Sequence, residues 1–206
     1  MRRPPVIATL VVLLAIGTMI GLGLWQVQRL HWKDALLAQY SAAAAIAAPL
    51  IVTGADLPGN AAYRHVQWDC PDAGPDQVVG GGNAMGQSGW AHVVVCGHRA
   101  GTVQTRVPVV IGWSSTVTPV RWRGGRLTGV AVPGKKSGVA LAPAGPALRN
   151  LDWHIVADPP QAGLIANATP DPRAIANNHL AYAVQWFLFA ATALIIYALA
   201  LRRRQK

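Results

Sequence analysis

Two long apolar runs frame this chain, and between them the pattern breaks into short strand-like stretches. Val6–Leu24 is 19 residues without a charge, and its most polar members are Thr9 and Thr18. Leu180–Leu201 is 22 residues long, with Gln185 as its only strongly polar member. At about 1.5 Å per residue, either run covers the roughly 30 Å hydrocarbon core of a bilayer. A backbone in lipid must satisfy its own polar groups, so both runs are predicted to be transmembrane helices. The first run is longer than the roughly 7–15 residues of a signal-peptide core. No Ala-x-Ala follows it closely, which predicts an uncleaved anchor.

Trp32–Ala48 is free of Gly and Pro and rich in Ala and Leu. It is predicted to continue the first helix beyond the bilayer until Pro49 stops it. Further on, Val66–Trp68, Gly89–Cys96, Thr102–Ile111, Leu127–Val132 and Leu151–Val156 read as strands separated by Gly and Pro. Asp72–Gly89 and Pro133–Pro146 read as loops, with Gly80-Gly81-Gly82-Asn83 a flexible turn. No strand–helix–strand alternation and no repeat period occurs. The predicted fold is membrane α+β: two transmembrane helices flanking a mainly antiparallel β domain, as an open sheet or a small barrel. The segments are 1–5, a cytoplasmic N-terminus; 6–27, the first span; 28–178, the extracytoplasmic domain; 179–201, the second span; and 202–206, a cytoplasmic basic tail.

Charge supplies the orientation. The net charge is +10, but six of the 18 positive residues sit at the two ends, including Arg202-Arg203-Arg204 directly after the second run. The middle keeps twelve positives against eight acids, all of them Asp. A nucleic-acid binder would carry its basic stripe on the folded domain, so no nucleic-acid partner is expected. The terminal cations place both ends in the cytoplasm by the positive-inside rule and leave lipid as the first partner. Arg29 and Lys33 flank the other side of the first span and oppose this, but a long domain can be translocated despite its charges. Because the first run begins so close to Met1, a bacterial inner membrane is expected rather than a mitochondrial one.

Candidate chemistry in the middle is sparse. Gly86-Gln87-Ser88-Gly89-Trp90 resembles a nucleophile elbow only superficially, since Trp90 stands where the motif needs Gly. The glycine run at 80–82 lacks the Lys-Ser/Thr of a phosphate loop. His65, His92, His98, Asp69 and Asp152 form the pool for a membrane-anchored enzyme, and no known catalytic spacing links them. Cys70 and Cys96 fit neither a Cys-x-x-Cys motif nor a four-ligand zinc site. In an oxidising space they can form a disulfide worth about 3 kcal/mol; two buried thiols are the alternative.

The membrane boundaries say more. On a helix, Trp25, Arg29 and Trp32 stack on one stripe, and Gln26 and Lys33 follow the adjacent one. At the second span, His179, Tyr182 and Trp186 share a face, with Asn178, Tyr182 and Gln185 on the next. An aromatic belt with snorkelling cations and an Asn-capped helix start explain these stripes as interfacial features. A polar stripe entering a membrane helix is also what a ligand or partner helix requires, and a neutral imidazole is a good iron ligand.

Leu24-Trp25-Gln26…Arg29…Trp32-Lys33 resembles the first signature of the surfeit locus protein one family. Asn177-Asn178-His179-Leu180…Tyr182-Ala183…Trp186-Phe187 resembles its second. Tyr63-Arg64-His65-Val66 is similar to a strand segment of that family. Gly112-Trp113 is similar to the end of its Asn-Arg-Gly-Trp strand, with Val110 and Ile111 replacing the Asn and Arg. The resemblance implies an assembly factor for a haem-copper terminal oxidase that binds haem a and aids its insertion. Its implied partners are the oxidase catalytic subunit and haem a synthase. His179 is implied as the iron ligand. Because both polar stripes lie at the same membrane depth, Trp25, Tyr182 and Trp186 are expected along the macrocycle and Arg29, with Lys33, on a propionate. This requires the two spans to bring His179 near the Trp25–Arg29 face. It describes a carrier rather than an enzyme. A two-span scaffold for oxidase subunits that never touches haem is the alternative.

Overall fold

In a computed structural model of the chain, the structure describes residues 6–53, 57–100, 103–134, 138, 148–150 and 152–205. The chain divides into two compact units. One joins the residues up to Ala38 with those from Ile175 onward, and the other is Gln39–Ala174.

The first unit holds most of α1 (Val6–Ala44) and all of α2 (His179–Gln205). Both helices are long and apolar enough to cross a membrane. They run antiparallel: Thr9 bonds Tyr197 near one end, and Gln26 bonds His179 near the other. Among the less exposed positions of α1, Thr9, Val12, Ile16, Met19, Gly23, Gln26, Leu30 and Lys33 are alternately three and four residues apart. His179, Ala183, Trp186, Ala190, Ala193 and Tyr197 do the same on α2. That spacing keeps one narrow seam facing a partner helix. Small residues make the seam possible. A Cβ at Gly23 would lie 2.6 Å from the Phe187 ring, so no larger residue fits unless the ring moves.

α1 ends at Ala44, four residues short of the predicted Ala48. Ile46 N–H turns back to the Ala43 carbonyl, tightening the last turn, and the residue before Pro49 is driven toward extended backbone.

The second unit is a nine-stranded mixed sheet: β1 (Leu50–Ile51), β2 (His65–Cys70), β3 (Asp72–Ala73), β4 (Gln77–Gly82), β5 (Ser88–Ala100), β6 (Val103–Ser114), β7 (Gly125–Pro133), β8 (Leu148–Asn150) and β9 (Trp153–Ala157). The order is β1-β2-β7-β9-β6-β5-β3, with β4 also on β5 and β8 on β6. β2 and β3 lie towards opposite ends of this path, yet only Pro71 separates them in sequence. The sheet therefore curls until its ends meet, as in a small barrel. Val66, Trp68 and Cys70 on β2, Val94 and Cys96 on β5, and Val107, Val109 and Ile111 on β6 point into one core, two residues apart along each strand. Cys70 and Cys96 are joined by a disulfide across this core, with Cα atoms 5.3 Å apart.

Two predictions about the sheet need correction. Asp72–Gly89 is not a loop but contains β3 and β4, and Gly80-Gly81-Gly82 is strand, not a flexible turn. The reason is close approach: a Cβ on Gly81 would sit 2.8 Å from the Ala91 Cβ on β5. Asn83 then ties the turn, its Oδ1 accepting from the N–H groups of Met85 and Gln87. The sheet is mainly antiparallel, as predicted, but mixed: β1 runs parallel to β2, and β8 and β9 run parallel to β6. β9 pairs antiparallel with β7 and inserts between it and β6, which fixes its direction. The five predicted strands lie within β2, β5, β6, β7 and β9, apart from Asp152, which is a bend before β9, and Thr102 and Leu151, which fall outside the described residues. Of the predicted Pro133–Pro146 loop, Pro133 closes β7, and residues 135–137 and 139–146 also lie outside them.

Candidate functional site

The start of α2 is tied to α1 by three side-chain contacts. Lys33 Nζ donates to the Ala176 carbonyl at 2.5 Å. Asn177 Nδ2 donates to Asp34 Oδ1 at 2.7 Å. His179 Nδ1 lies 2.7 Å from Gln26 Oε1. An amide oxygen only accepts, so with that oxygen facing the ring, Nδ1 carries the proton. In the neutral ring the lone pair then sits on Nε2, and among the described residues no group hydrogen-bonds that nitrogen. The arrangement is a half-buried imidazole, oriented through one nitrogen and open at the other.

The other predicted site residues surround this node unevenly. Trp25 is half exposed, and Arg29 sits with its guanidinium 4.4 Å over the Trp32 ring. Both belong to an exposed stripe of α1, not to the seam. The helices pair as expected, but through the adjacent Gln26–Lys33 stripe, because the three-and-four repeat running from Thr9 through Gly23 puts Gln26 opposite His179. On α2, Tyr182 is exposed, and Trp186 is half-buried and edge-on to Phe189 at 6.1 Å. Gln26 is the residue that the motif reading passed over. The three-and-four spacing that joins Gln26 to Thr9 and Gly23 along α1 is the signal that could have found it.

The middle domain contains a constellation that the residue pool did not anticipate. His92, fully buried on β5, has Asp76 Oδ2 at 2.6 Å from Nδ1 and Ser114 Oγ at 2.8 Å from Nε2. A bulge between His92 and Val93 re-aims the strand at this point. The trio looks like a nucleophile relay, but the protons run the wrong way. Ser114 Oγ also lies 2.6 Å from the Thr116 carbonyl, which can only accept, so the hydroxyl proton goes there. Nε2 must then donate to Ser114, and no lone pair is left to take the serine proton. Asp76 Oδ2 accepts Val120 N–H as well, at 2.9 Å. The trio thus clamps the turn before β4 and the loop after β6 onto β5.

The rest of the pool scatters. Asp69 pairs with Arg126 at the surface, at 3.1 Å. His98 edges a cleft of about 400 Å³ beside Asp72, Arg99 and Gln104. Among the described residues, no three His, Cys, Asp or Glu side chains converge as a metal site would need. The shifted acids and bases are peripheral. Burial pushes the Tyr63 phenol up, with Tyr40 and Asp171 adding to it. The hydrogen bond from Arg126 to Asp69 raises the Arg126 guanidinium. The Arg173 backbone N–H holds the Asp171 carboxyl below the usual carboxylate range.

The SURF1 family model matches residues 13–191, a stretch that includes both flanking motifs and the whole sheet. The chain belongs to the SURF1 family. That family is known for its part in cytochrome oxidase assembly. No individual curated protein matches the chain. Trp25, Gln26, Arg29, His179, Tyr182 and Trp186 all lie inside the stretch matched to the SURF1 family, as do Cys70 and Cys96.

Proposed function

We propose that this SURF1-family chain is an assembly factor for a haem-copper terminal oxidase that carries haem a on His179 and hands it to the catalytic subunit. The observation that carries the reading is the His179 ring: its Nδ1 faces the Gln26 amide oxygen, while Nε2 is unclaimed. Ring orientation through one nitrogen and ligation through the other is how metal-binding histidines are usually held. When bound, haem a supplies the iron that Nε2 would ligate. Tyr182 and Trp186 offer aromatic surface on the turns after His179. Lys33 retains two N–H groups beyond its bond to Ala176, and Arg29 remains exposed, so either can neutralise a carboxylate. A carrier must release its cargo, and a single iron ligand from the chain would suit release better than two.

In this proposal α1 and α2 span a bacterial inner membrane. Arg202 and its neighbours hold the C-terminus in the cytoplasm, with the N-terminus on the same side. The middle domain then faces the periplasm, where the Cys70–Cys96 disulfide is chemically at home. The chain itself makes and breaks no covalent bond. Its partners are the oxidase catalytic subunit and haem a synthase.

The test is an absorption spectrum of detergent-purified protein co-expressed with haem a synthesis, wild type beside His179→Ala. A haem a spectrum lost in the variant supports the carrier. A variant that keeps the wild-type load and spectrum removes His179 as ligand. Absence of haem from both favours a scaffold, in which the His179–Gln26 bond serves only helix pairing.

A further inference from the structure

We propose that Gln26 is a positioning residue, which holds His179 in the Nδ1-protonated tautomer so that Nε2 is presented as the ligand nitrogen. The inference rests on the carrier reading, but its first consequence is visible without haem. A free neutral imidazole prefers its proton on Nε2, which would leave the lone pair on Nδ1, the nitrogen crowded by its own side chain. Reversing that preference needs an acceptor placed at Nδ1. Gln26 Oε1 supplies one at 2.7 Å. The acceptor is itself well placed, since Gln26 lies on the helix seam one turn from Gly23, with Lys33 and Asp34 fastening the residues just before His179.

The choice of an amide over a carboxylate also has a chemical meaning. A carboxylate at Nδ1 would draw the shared proton and make the ring a more basic, tighter ligand. A neutral amide fixes direction with less added basicity. For a protein that must give up what it binds, orientation without extra affinity is the useful combination. Gln26→Glu should therefore keep the tautomer and strengthen ligation, whereas Gln26→Leu should lose the tautomer and weaken it.

The experiment uses the full chain in lipid nanodiscs, with ring-¹⁵N histidine and no haem, at mildly alkaline pH. His179→Ala identifies the His179 signals by their loss. The wild type should show a protonated Nδ1 and an unprotonated Nε2. Gln26→Leu should scramble or reverse this, and Gln26→Glu should restore it. A wild-type ring protonated at Nε2, or a Gln26→Leu ring unchanged from wild type, overturns the inference whatever haem does. Haem a titrations of the same samples form the second arm. Gln26→Leu should bind about 10–100-fold more weakly, the usual effect of losing such a partner. Gln26→Glu should bind at least as tightly as wild type, with a more negative reduction potential. If His179→Ala loses haem while both Gln26 variants keep the wild-type affinity and potential, the positioning role fails and the carrier stands. If no sample binds haem, the carrier fails, and the NMR result alone decides the tautomer.

Discussion

Each unit of this molecule sets a histidine against a side-chain acceptor, and the two sites differ in what is left over. In the sheet, Asp76 and Ser114 occupy both nitrogens of His92, and the ring is sealed from solvent. In the helix pair, Gln26 occupies one nitrogen of His179 and the other is open. The first histidine is spent on holding loops together, while the second has one ring nitrogen without a hydrogen-bond partner among the described residues. Burial separates the two rings as well, His92 being sealed and His179 half-buried.

The strongest way to break the comparison is to delete each ring in turn. His92→Leu leaves the Asp76 carboxylate buried without its partner, and should destabilise the chain by about 3–5 kcal/mol. His179→Leu, at a half-buried position bonded through one nitrogen, should cost about 1 kcal/mol or less. Thermal melts of the two variants in one detergent check this, and equal losses would erase the distinction. A milder perturbation sharpens it. Gly23→Leu must displace the Phe187 ring, at a cost of about 1–3 kcal/mol. It should shift the His179 ring ¹⁵N signals and leave those of His92 where they are. The smallest effect belongs to an exposed carboxylate. Asp171 titrates below the usual carboxylate range because the Arg173 N–H bonds its ionised form. Its contribution is present above the unfolded-state pKa and fades as pH falls through the lowered folded value. Asp171→Asn should therefore flatten the acid limb of denaturation slightly between about pH 5 and pH 2.

Much of this layout was legible in the sequence, and the failures share one cause. The two helices announce themselves by length and apolarity, and Trp90–Cys96 and Val107–Ile111 by run and β-branching. Gly80-Gly81-Gly82 read as a turn because glycine is a local turn residue, whereas here Ala91, ten residues after Gly81, is what demands it. Asp76 stayed out of the catalytic pool because no motif spacing joins it to His92. Only the β4–β5 register, with Val78 opposite His92, brings them together. Gln26 was visible one residue from the Trp25–Arg29 stripe. Which of the two stripes faces α2 depends on the phase of the whole repeat, and a ten-residue motif does not contain it.

The disulfide has a consequence for the order in which this protein can be made. Cys70 and Cys96 are 26 residues apart, and both lie ahead of β6, β7 and β9. A chain emerging from its N-terminus releases both thiols before the remaining strands of the barrel exist. Oxidation can therefore lock β2 beside β5 while the later strands are still being synthesised. Those strands must then thread into a frame already closed on one side. A cell deprived of thiol oxidants would lose this head start, and would be left with a longer-lived, incompletely folded intermediate even if the finished fold were stable without the bond.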